Sequence, residues 1–430
     1  MPQLNWIAAA SIATWLVVVA LRRRPDAKEF VDPLLVVALV LLVIVGVQAA
    51  NPRAVYLENE FRWWLLELPF AEWLPSGIRT GWAQAGTLRW LGTGIACLLA
   101  YVSVRWVAAS ARARNLLLRL LVANGVAWAC FGVVQKLSGT RLMYCYWLPD
   151  LEYFFASFAY KNHAATFLGM QLPLIAAISA TDARDRAGWH FLCLVLATLV
   201  AAGLLLTGTM LGLAVVGVAV LILALVFGRR LVLERLGRGP WVFAGVVATL
   251  AAAALWLAKP EVERRVDEWT SGDARLSFEM RLTAMQAAWR MHRDRPFLGW
   301  GGGGFQYEFP PYQHAEPILV RNRHLSLAWE HVHNDWLQTL VELGWFGFAC
   351  VAFGMAIIAK RTITLTVAGN WQRALPGFAV GFTALVAIVD FPAGNFAILI
   401  FCATCAGLCR EPRIAGGIGS SQAQAQQSAP

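Results

Sequence analysis

The residues best suited to chemistry lie in one short run at positions 330–348, E-H-V-H-N-D-W-L-Q-T-L-V-E-L-G-W-F-G-F. His331, His333, Asn334 and Asp335 stand where a polar segment becomes an apolar helix. Histidine titrates near neutral pH and can accept the proton of a hydroxyl nucleophile. Ionisable groups beside hydrocarbon are costly and by default indicate a site. The run therefore predicts acid–base chemistry at a membrane boundary.

The rest of the chain has the composition of a membrane protein. Hydrophobic residues make up 58% of it and charged residues 14%, against roughly 25% charged in a soluble domain. Long apolar runs predict an all-α polytopic membrane protein of about 11 (10–12) transmembrane helices, since a membrane β-barrel would show short alternating segments. The predicted spans are 4–21, 30–50, 88–109, 116–135, 163–181, 189–207, 209–228, 241–258, 336–359, 374–391 and 394–409.

The basic residues predict the orientation. Arginines and lysines follow every second span, so all these loops fall on one side, which is cytoplasmic by the positive-inside rule. The net charge of +10 is mostly this set; it indicates contact with membrane lipids and no nucleic-acid partner. Four parts result: a first membrane bundle of about eight spans, an outside loop, the last spans, and a cytoplasmic tail expected to be disordered. Their ranges are 1–258, 259–335, 336–413 and 414–430.

Two smaller outside segments leave alternatives open. Residues 51–85 are aromatic and acidic, which favours an amphipathic helix in the interface over an aromatic platform for lipid or sugar. The segment 136–161 contains Arg141 and leads into Lys161 and Asn162 at a helix start. Unpaired helix-start amides there could bind an anion. Equally, Lys161 could reach the interface while Asn162 caps the helix.

The large outside loop, 259–335, contains a helical pattern and a glycine run. Apolar residues recur at helical spacing between positions 273 and 293, with arginines alongside, which predicts a helix lying on the membrane surface. Four glycines at 301–304 permit close backbone approaches. No Lys-Ser/Thr follows them, so they are not a P-loop, and the histidine spacing is not a zinc signature. We predict neither metal nor cofactor.

Taken together, these motifs resemble the bacterial O-antigen ligase and polymerase family of lipid-linked polysaccharide enzymes. The likeness extends over positions 158–348. It rests on F-A-Y-K-N-H-A at 158–164, on Arg281 followed by P-F-L-G-W-G at 296–301, and on H-N-D-W-L-Q with Glu342, Gly344 and Gly347. A large outside loop between late spans also matches.

The resemblance implies glycosyl transfer at the periplasmic face of the bacterial inner membrane. The donor would be a glycan on undecaprenyl diphosphate and the acceptor a sugar hydroxyl, on lipid A-core for a ligase or on another lipid-linked glycan for a polymerase. A metal-independent, inverting mechanism is expected. His333 is the candidate general base and Arg281 the candidate diphosphate ligand, because its fixed fork suits phosphate. His331, Asn334 and Asp335 could bind sugar or orient His333, or cap the loop.

One turn departs from the family pattern. Where relatives often carry a Ser-Arg pair, positions 207–210 read Thr-Gly-Thr-Met. If that arginine binds diphosphate in relatives, another cation must take over its role here or the donor must differ, because Met210 stands in its place; Lys161 and Arg141 are candidates. A polytopic transporter of a polar or lipid-linked substrate is the alternative of another class. The sequence shows no internal repeat, and its charges gather on one face, which favours surface chemistry over transport.

Overall fold

The computed structural model describes residues 32–81, 84–140, 142–143, 146–147, 154–180, 186–212, 214–215, 252, 256, 259, 263–264, 266–268, 270–320 and 329–410. The predicted spans 4–21, 209–228 and 241–258, the tail 414–430 and Arg141 lie wholly or mostly outside these residues. The helices are α1 (Pro33–Ala50), α2 (Thr87–Val107), α3 (Ala111–Leu137), α4 (Lys161–Gly169), α5 (Gln171–Ser179), α6 (Arg186–Leu206), α7 (Asp273–Asp294), α8 (Phe305–Glu308), α9 (Pro310–His314), α10 (Pro317–Val320), α11 (Asp335–Val367), α12 (Trp371–Val386) and α13 (Phe396–Leu408).

The described part of the chain is mostly helical, as predicted. Among the described helices, five are long and apolar enough to cross a membrane: α1, α2, α3, most of α6, and α11. They match the predicted spans 30–50, 88–109, 116–135, 189–207 and 336–359. The predicted spans 163–181, 374–391 and 394–409 form shorter helices, namely α4 with α5, α12 and α13.

Helices α4 and α5 lie at the centre of the bundle. Eight of the nine residues of α4 are buried, and α3, α6, α12 and α13 pack around the pair. The buried residues that meet here are mainly alanine, leucine and phenylalanine, including Ala164, Leu168 and Phe167. Small residues let the helices approach closely, which in a membrane must replace the hydrophobic driving force. The central position of α4 holds its first turn, with Lys161 and His163, inside the protein.

The segment 51–85, which we predicted to lie outside the membrane, contains a small β-sheet, so the prediction of an amphipathic helix is wrong. Strand β1 (Pro52–Glu58) lies between β2 (Trp63–Glu67), which is antiparallel to it, and β3 (Gly77–Arg79), which is parallel. The turn after β1 forms because the Asn59 side chain accepts hydrogen bonds from the backbone amides of Phe61 and Arg62. Consecutive β-forming residues on either side of that turn favour strands over a helix.

Further short elements lie in the other two segments that we predicted to lie outside. Strands β4 (Leu142–Met143) and β5 (Tyr146–Trp147) pair antiparallel. Helix α7 confirms the helix predicted for positions 273–293. It packs on α11 through Ala284, Ala287, Ala288 and Met291, which are fully buried. Leu282 and Trp289, two other apolar residues of this helix, are about half exposed.

Two glycine motifs hold the loop after α7 against a break in α11. Gly344 interrupts the helix with φ of 63°, and Gly299 of the loop also has a positive φ. The Gly301 amide donates to the Glu342 carbonyl at 2.8 Å, and the Trp345 amide donates to the Pro296 carbonyl at 2.8 Å. A Cβ on Gly299 would lie 2.4 Å from the Glu342 carbonyl oxygen. This contact requires glycine on both sides.

Candidate active site

Three histidines gather around one phenylalanine between the last helices. Phe391 follows α12 and precedes the 3₁₀ turn Pro392–Gly394. His331 stacks on its ring at 4.3 Å between centroids, and the rings of His163 and His333 meet it edge-on at 5.0 and 4.8 Å. Tyr160 stacks on Phe391 at 5.0 Å. We call Tyr160, His163, His331, His333 and Phe391 the histidine cluster.

His333 sits in this cluster opposite a buried carboxylate. Its Nδ1 lies 3.5 Å from Oδ1 of Asp390, with the two side chains 20% and 6% exposed. Among the described residues this buried nitrogen has no hydrogen-bond partner, and Asp390 is the carboxylate that it faces. The backbone of His333 has φ of 59°, an uncommon conformation that tends to occur at functional sites. The geometry favours a proton on Nδ1 facing Asp390, which leaves Nε2 able to accept one.

Asp390 is ionised by its surroundings. Burial alone would raise the pKa of the Asp390 carboxyl. Interaction with His333, the positive charge available to His163 and His333, and a hydrogen bond with Asn162 outweigh burial and hold that pKa below its ordinary value. A buried carboxylate beside an imidazole is the arrangement that orients and stabilises a general base.

His331 is fixed as a neutral ring through a chain of hydrogen bonds. Its Nδ1 donates to Oε1 of Gln338 at 3.3 Å, and Nε2 of Gln338 donates to Glu342 at 3.1 Å. Burial lowers the pKa of His331 to about 4. The buried Glu342 carboxylate also accepts from the amides of Gly303 and Phe305. Glu342 therefore connects the glycine run to the histidine cluster.

Asn334 and Asp335 stabilise the start of α11. The Asn334 side chain accepts from the Leu337 amide at 2.9 Å, so it is the N-cap. The Asp335 carboxylate accepts from the Ala393 amide at 2.7 Å, and its own amide donates to the Ala387 carbonyl at 2.8 Å. These bonds fasten the segment that contains Asp390 to the helix that follows His333. In this structure both side chains are occupied by backbone contacts.

The start of α4 brings a second group of polar residues to the cluster. Nδ2 of Asn162 donates to the Tyr160 hydroxyl at 2.7 Å, and Nε2 of His163 donates to the Phe391 carbonyl at 3.1 Å. The Tyr160 hydroxyl lies 3.4 Å from Oδ1 of Asp390. Burial and Asp390 raise the pKa of the Tyr160 phenol, whereas the nearby Arg281 lowers it. Asn162 thus contributes to the site and does not cap α4.

Arg281 and Lys161 are the cations beside the cluster. Arg281 lies on α7, close enough to Tyr160 for its charge to act on the phenol, and among the described residues no carboxylate pairs with it. Lys161, the first residue of α4, is buried at 7% exposure. Met210, where the family's arginine would stand, is about half exposed. Arg141, the other substitute cation, lies outside the described residues.

The structure thus brings together His331, His333, Asn162 and Arg281, predicted from separate motifs. Sequence reasoning gave no role to Asp390, Phe391, Tyr160 or Glu342. One signal could have indicated Asp390: it is a lone carboxylate at the end of an apolar span, V-D-F-P. Its partner His333 lies 57 positions earlier (390 − 333), so only the tertiary fold shows the pairing.

These features define a helical membrane protein with a buried imidazole–carboxylate site at one end of its bundle. A family model described as O-antigen ligase matches residues 192–352. The match confirms the resemblance to the O-antigen ligase family. Arg281, His331 and His333 lie within the matched residues, while Asn162, His163 and Asp390 lie outside them. A search of curated proteins found no match.

Proposed function

We propose that this protein transfers a glycan from undecaprenyl diphosphate to a sugar hydroxyl of lipid A-core, as an O-antigen ligase at the periplasmic face of the bacterial inner membrane. One observation carries the proposal: His333, inside the matched family segment, has its Nδ1 opposite the buried Asp390. The surrounding rings of Phe391 and Trp329 are edge-on to the imidazole. They fix its plane without using its second nitrogen.

His333 is the proposed general base. Nε2 takes the proton of the acceptor hydroxyl as its oxygen attacks the anomeric carbon of the donor sugar. Asp390 stabilises the imidazolium that forms and keeps the Nδ1–H tautomer, as in an acid–base–nucleophile triad. Such assistance contributes typically about 10²–10⁴-fold to a rate.

Arg281 is the proposed ligand of the departing diphosphate. The bond between the anomeric carbon and the diphosphate oxygen breaks as the new bond forms, and its electron pair leaves with the diphosphate. A guanidinium with no carboxylate partner in the described structure is available for that charge, and its two parallel N–H groups fit two phosphate oxygens. Attack opposite the leaving group inverts the anomeric carbon. Lys161, at the start of α4, supplies further positive charge.

The acceptor and donor can be identified directly. Purified protein is incubated with defined undecaprenyl-diphosphate glycans and either lipid A-core or a second lipid-linked glycan, in excess EDTA. We expect mass spectrometry to find the glycan on lipid A-core with inverted linkage. Growth of the lipid-linked chain instead would show a polymerase, and no transfer with any acceptor would overturn the proposal. Activity that needs an added divalent ion would overturn the role of Arg281.

A further inference from the structure

The end of the bundle far from the histidine cluster has a second concentration of arginines. Helices α3 and α12 begin there, after Ser110 and Asn370, and neither of these residues makes a side-chain capping hydrogen bond. Neither first turn contains an acidic residue. Instead, both contain arginine, since α3 begins A-R-A-R and α12 begins W-Q-R. Helix starts carry partial positive charge and favour anions. Arginine is therefore unfavourable at both starts unless an anion is bound.

Arg114 of α3 points from one helix start to the other. Its Nη2 donates to Oε1 of Gln372 at 3.2 Å, and Gln372 in turn donates to Asn115. The Arg114 residue is only 8% exposed, yet its Nε and Nη1 atoms have no hydrogen-bond partner among the residues that the structure describes. Burying unpaired N–H groups of a cation is costly, so this side chain lacks an anion.

Arg373 adds a second guanidinium beside the first. The charges of Arg373 and Arg114 are close enough to repel each other. Nη1 of Arg373 donates to the Arg410 carbonyl at 3.1 Å, which leaves the rest of its fork available. In the described structure, neither arginine forms an ion pair with a carboxylate. The nearby Asp32 is already bound by Arg105, Arg361 and Tyr101.

We propose that the phosphate of an anionic phospholipid headgroup binds between the starts of α3 and α12, held by Arg114 and Arg373. Phosphate suits this place because arginine forks and helix-start amides both donate to its oxygens. The site lies at the start of α3, which is long and apolar enough to cross a membrane, and the ends of such helices are where lipid headgroups lie. Helix α12 runs from this site to the segment that contains Asp390, so a bound headgroup would brace the helix behind the histidine cluster.

Native mass spectrometry of the full chain tests the site, with phosphatidylglycerol competing against phosphatidylcholine. We expect Arg114→Gln and Arg373→Gln each to lower bound phosphatidylglycerol by about tenfold or more, the effect of losing a charged hydrogen bond. Arg112→Gln is the matched control, because Arg112 has the same charge in the same helix turn but is exposed. The Arg112 variant should bind at most about fivefold less phosphatidylglycerol, which is the effect of one surface charge.

Three results would overturn the proposal. Equal losses in the Arg112 and Arg114 variants would mean that only general surface charge attracts lipid. Displacement of the lipid by inorganic phosphate in neutral bilayers would identify free phosphate as the ligand. Third, the wild-type protein could show no preference for phosphatidylglycerol while the Glu411→Gln variant does. That result would show that the carboxylate of Glu411, which lies outside the described residues, fills the site. Arg373→Gln keeps the test valid if the Arg114 variant does not fold, since Arg373 is less buried.

Discussion

At the scale of single residues, the site depends on the protonation state of its histidines. His333 faces Asp390, His163 donates to a carbonyl, and His331 donates to Gln338. Each ring has a different partner, so each has a different task. Only His333 combines a buried carboxylate partner with a second nitrogen that the described residues do not bind, which is why we assign the base to His333.

Acid should destabilise the protein through His331. Burial sets the pKa of His331 near 4 in the folded protein, while it is about 6.5 in an unfolded chain. The unfolded state therefore binds more protons between pH 4 and 6.5, and stability falls as pH falls through that window, by up to about 3 kcal/mol. As the pH is lowered from 6.5 to 4, the Tm in detergent should fall less for His331→Gln than for wild type. An equal fall in Tm would mean that His331 titrates normally.

Replacing Arg281 by lysine should impair transfer although the charge is kept. Lysine is a point charge and cannot donate two parallel bonds to a diphosphate. We expect Arg281→Lys to lower kcat by about 10²-fold, in the range seen for loss of a charge-stabilising donor. Arg275→Lys, on the exposed face of the same helix, is the control. The kcat values are compared at equal concentrations of folded protein. Full rescue by lysine would show that Arg281 supplies charge alone.

At the scale of elements, the glycine contact between the α7 loop and α11 positions the whole site. Sequence patterns predicted α7, α11 and the glycine run separately, because amphipathic spacing and apolar length are local properties. The bonds that join Gly301 to Glu342 and Trp345 to Pro296 could not be predicted, since they depend on how two distant segments meet. For the same reason the β-sheet at 52–79 was taken for a helix, since its third strand joins in parallel only after a nine-residue connection at 68–76.

Substituting alanine at Gly344 should destabilise the protein strongly. Its φ of 63° disfavours any side chain, and a Cβ there would lie 2.2 Å from the Phe297 carbonyl oxygen. We expect a loss of more than about 2 kcal/mol and a clearly lower Tm. Gly354→Ala in the same helix is the control, because its Cβ would meet only side chains at 3.5 Å or beyond. Similar Tm values for the two variants would contradict this reading of the contact.

At the scale of the whole molecule, the two ends of the bundle differ in chemistry. One end holds the histidine cluster and the β-sheet, and the other gathers Arg105, Arg114, Arg361, Arg373 and Arg410. Apart from Arg105, which lies inside the predicted span 88–109, these arginines belong to predicted loops that charge counting placed on one side. Their loops could be grouped from sequence because membrane crossing alternates. Their contacts with Asp32 and Gln372 could not, because these depend on helix packing.

Labelling in intact cells tests which side each end faces. We predict that a cysteine at Ser271, before α7, reacts with an impermeant maleimide from the periplasm. A cysteine at Arg112 should react only after the inner membrane is opened. The parent chain, with its native cysteines, gives the background in both cases. The reverse pattern would place the histidine cluster in the cytoplasm and rule out chemistry on periplasmic lipid-linked glycans.

The most direct test of the central claim is the turnover of His333→Ala with a lipid-linked glycan and its acceptor. Rates are measured per folded protein, with His314→Ala, an exposed histidine at the end of α9, as the control. Loss of a general base should lower kcat by about 10²–10⁴-fold while His314→Ala stays near wild type. Turnover of His333→Ala close to wild type would contradict the account, because the proton would then leave by another route.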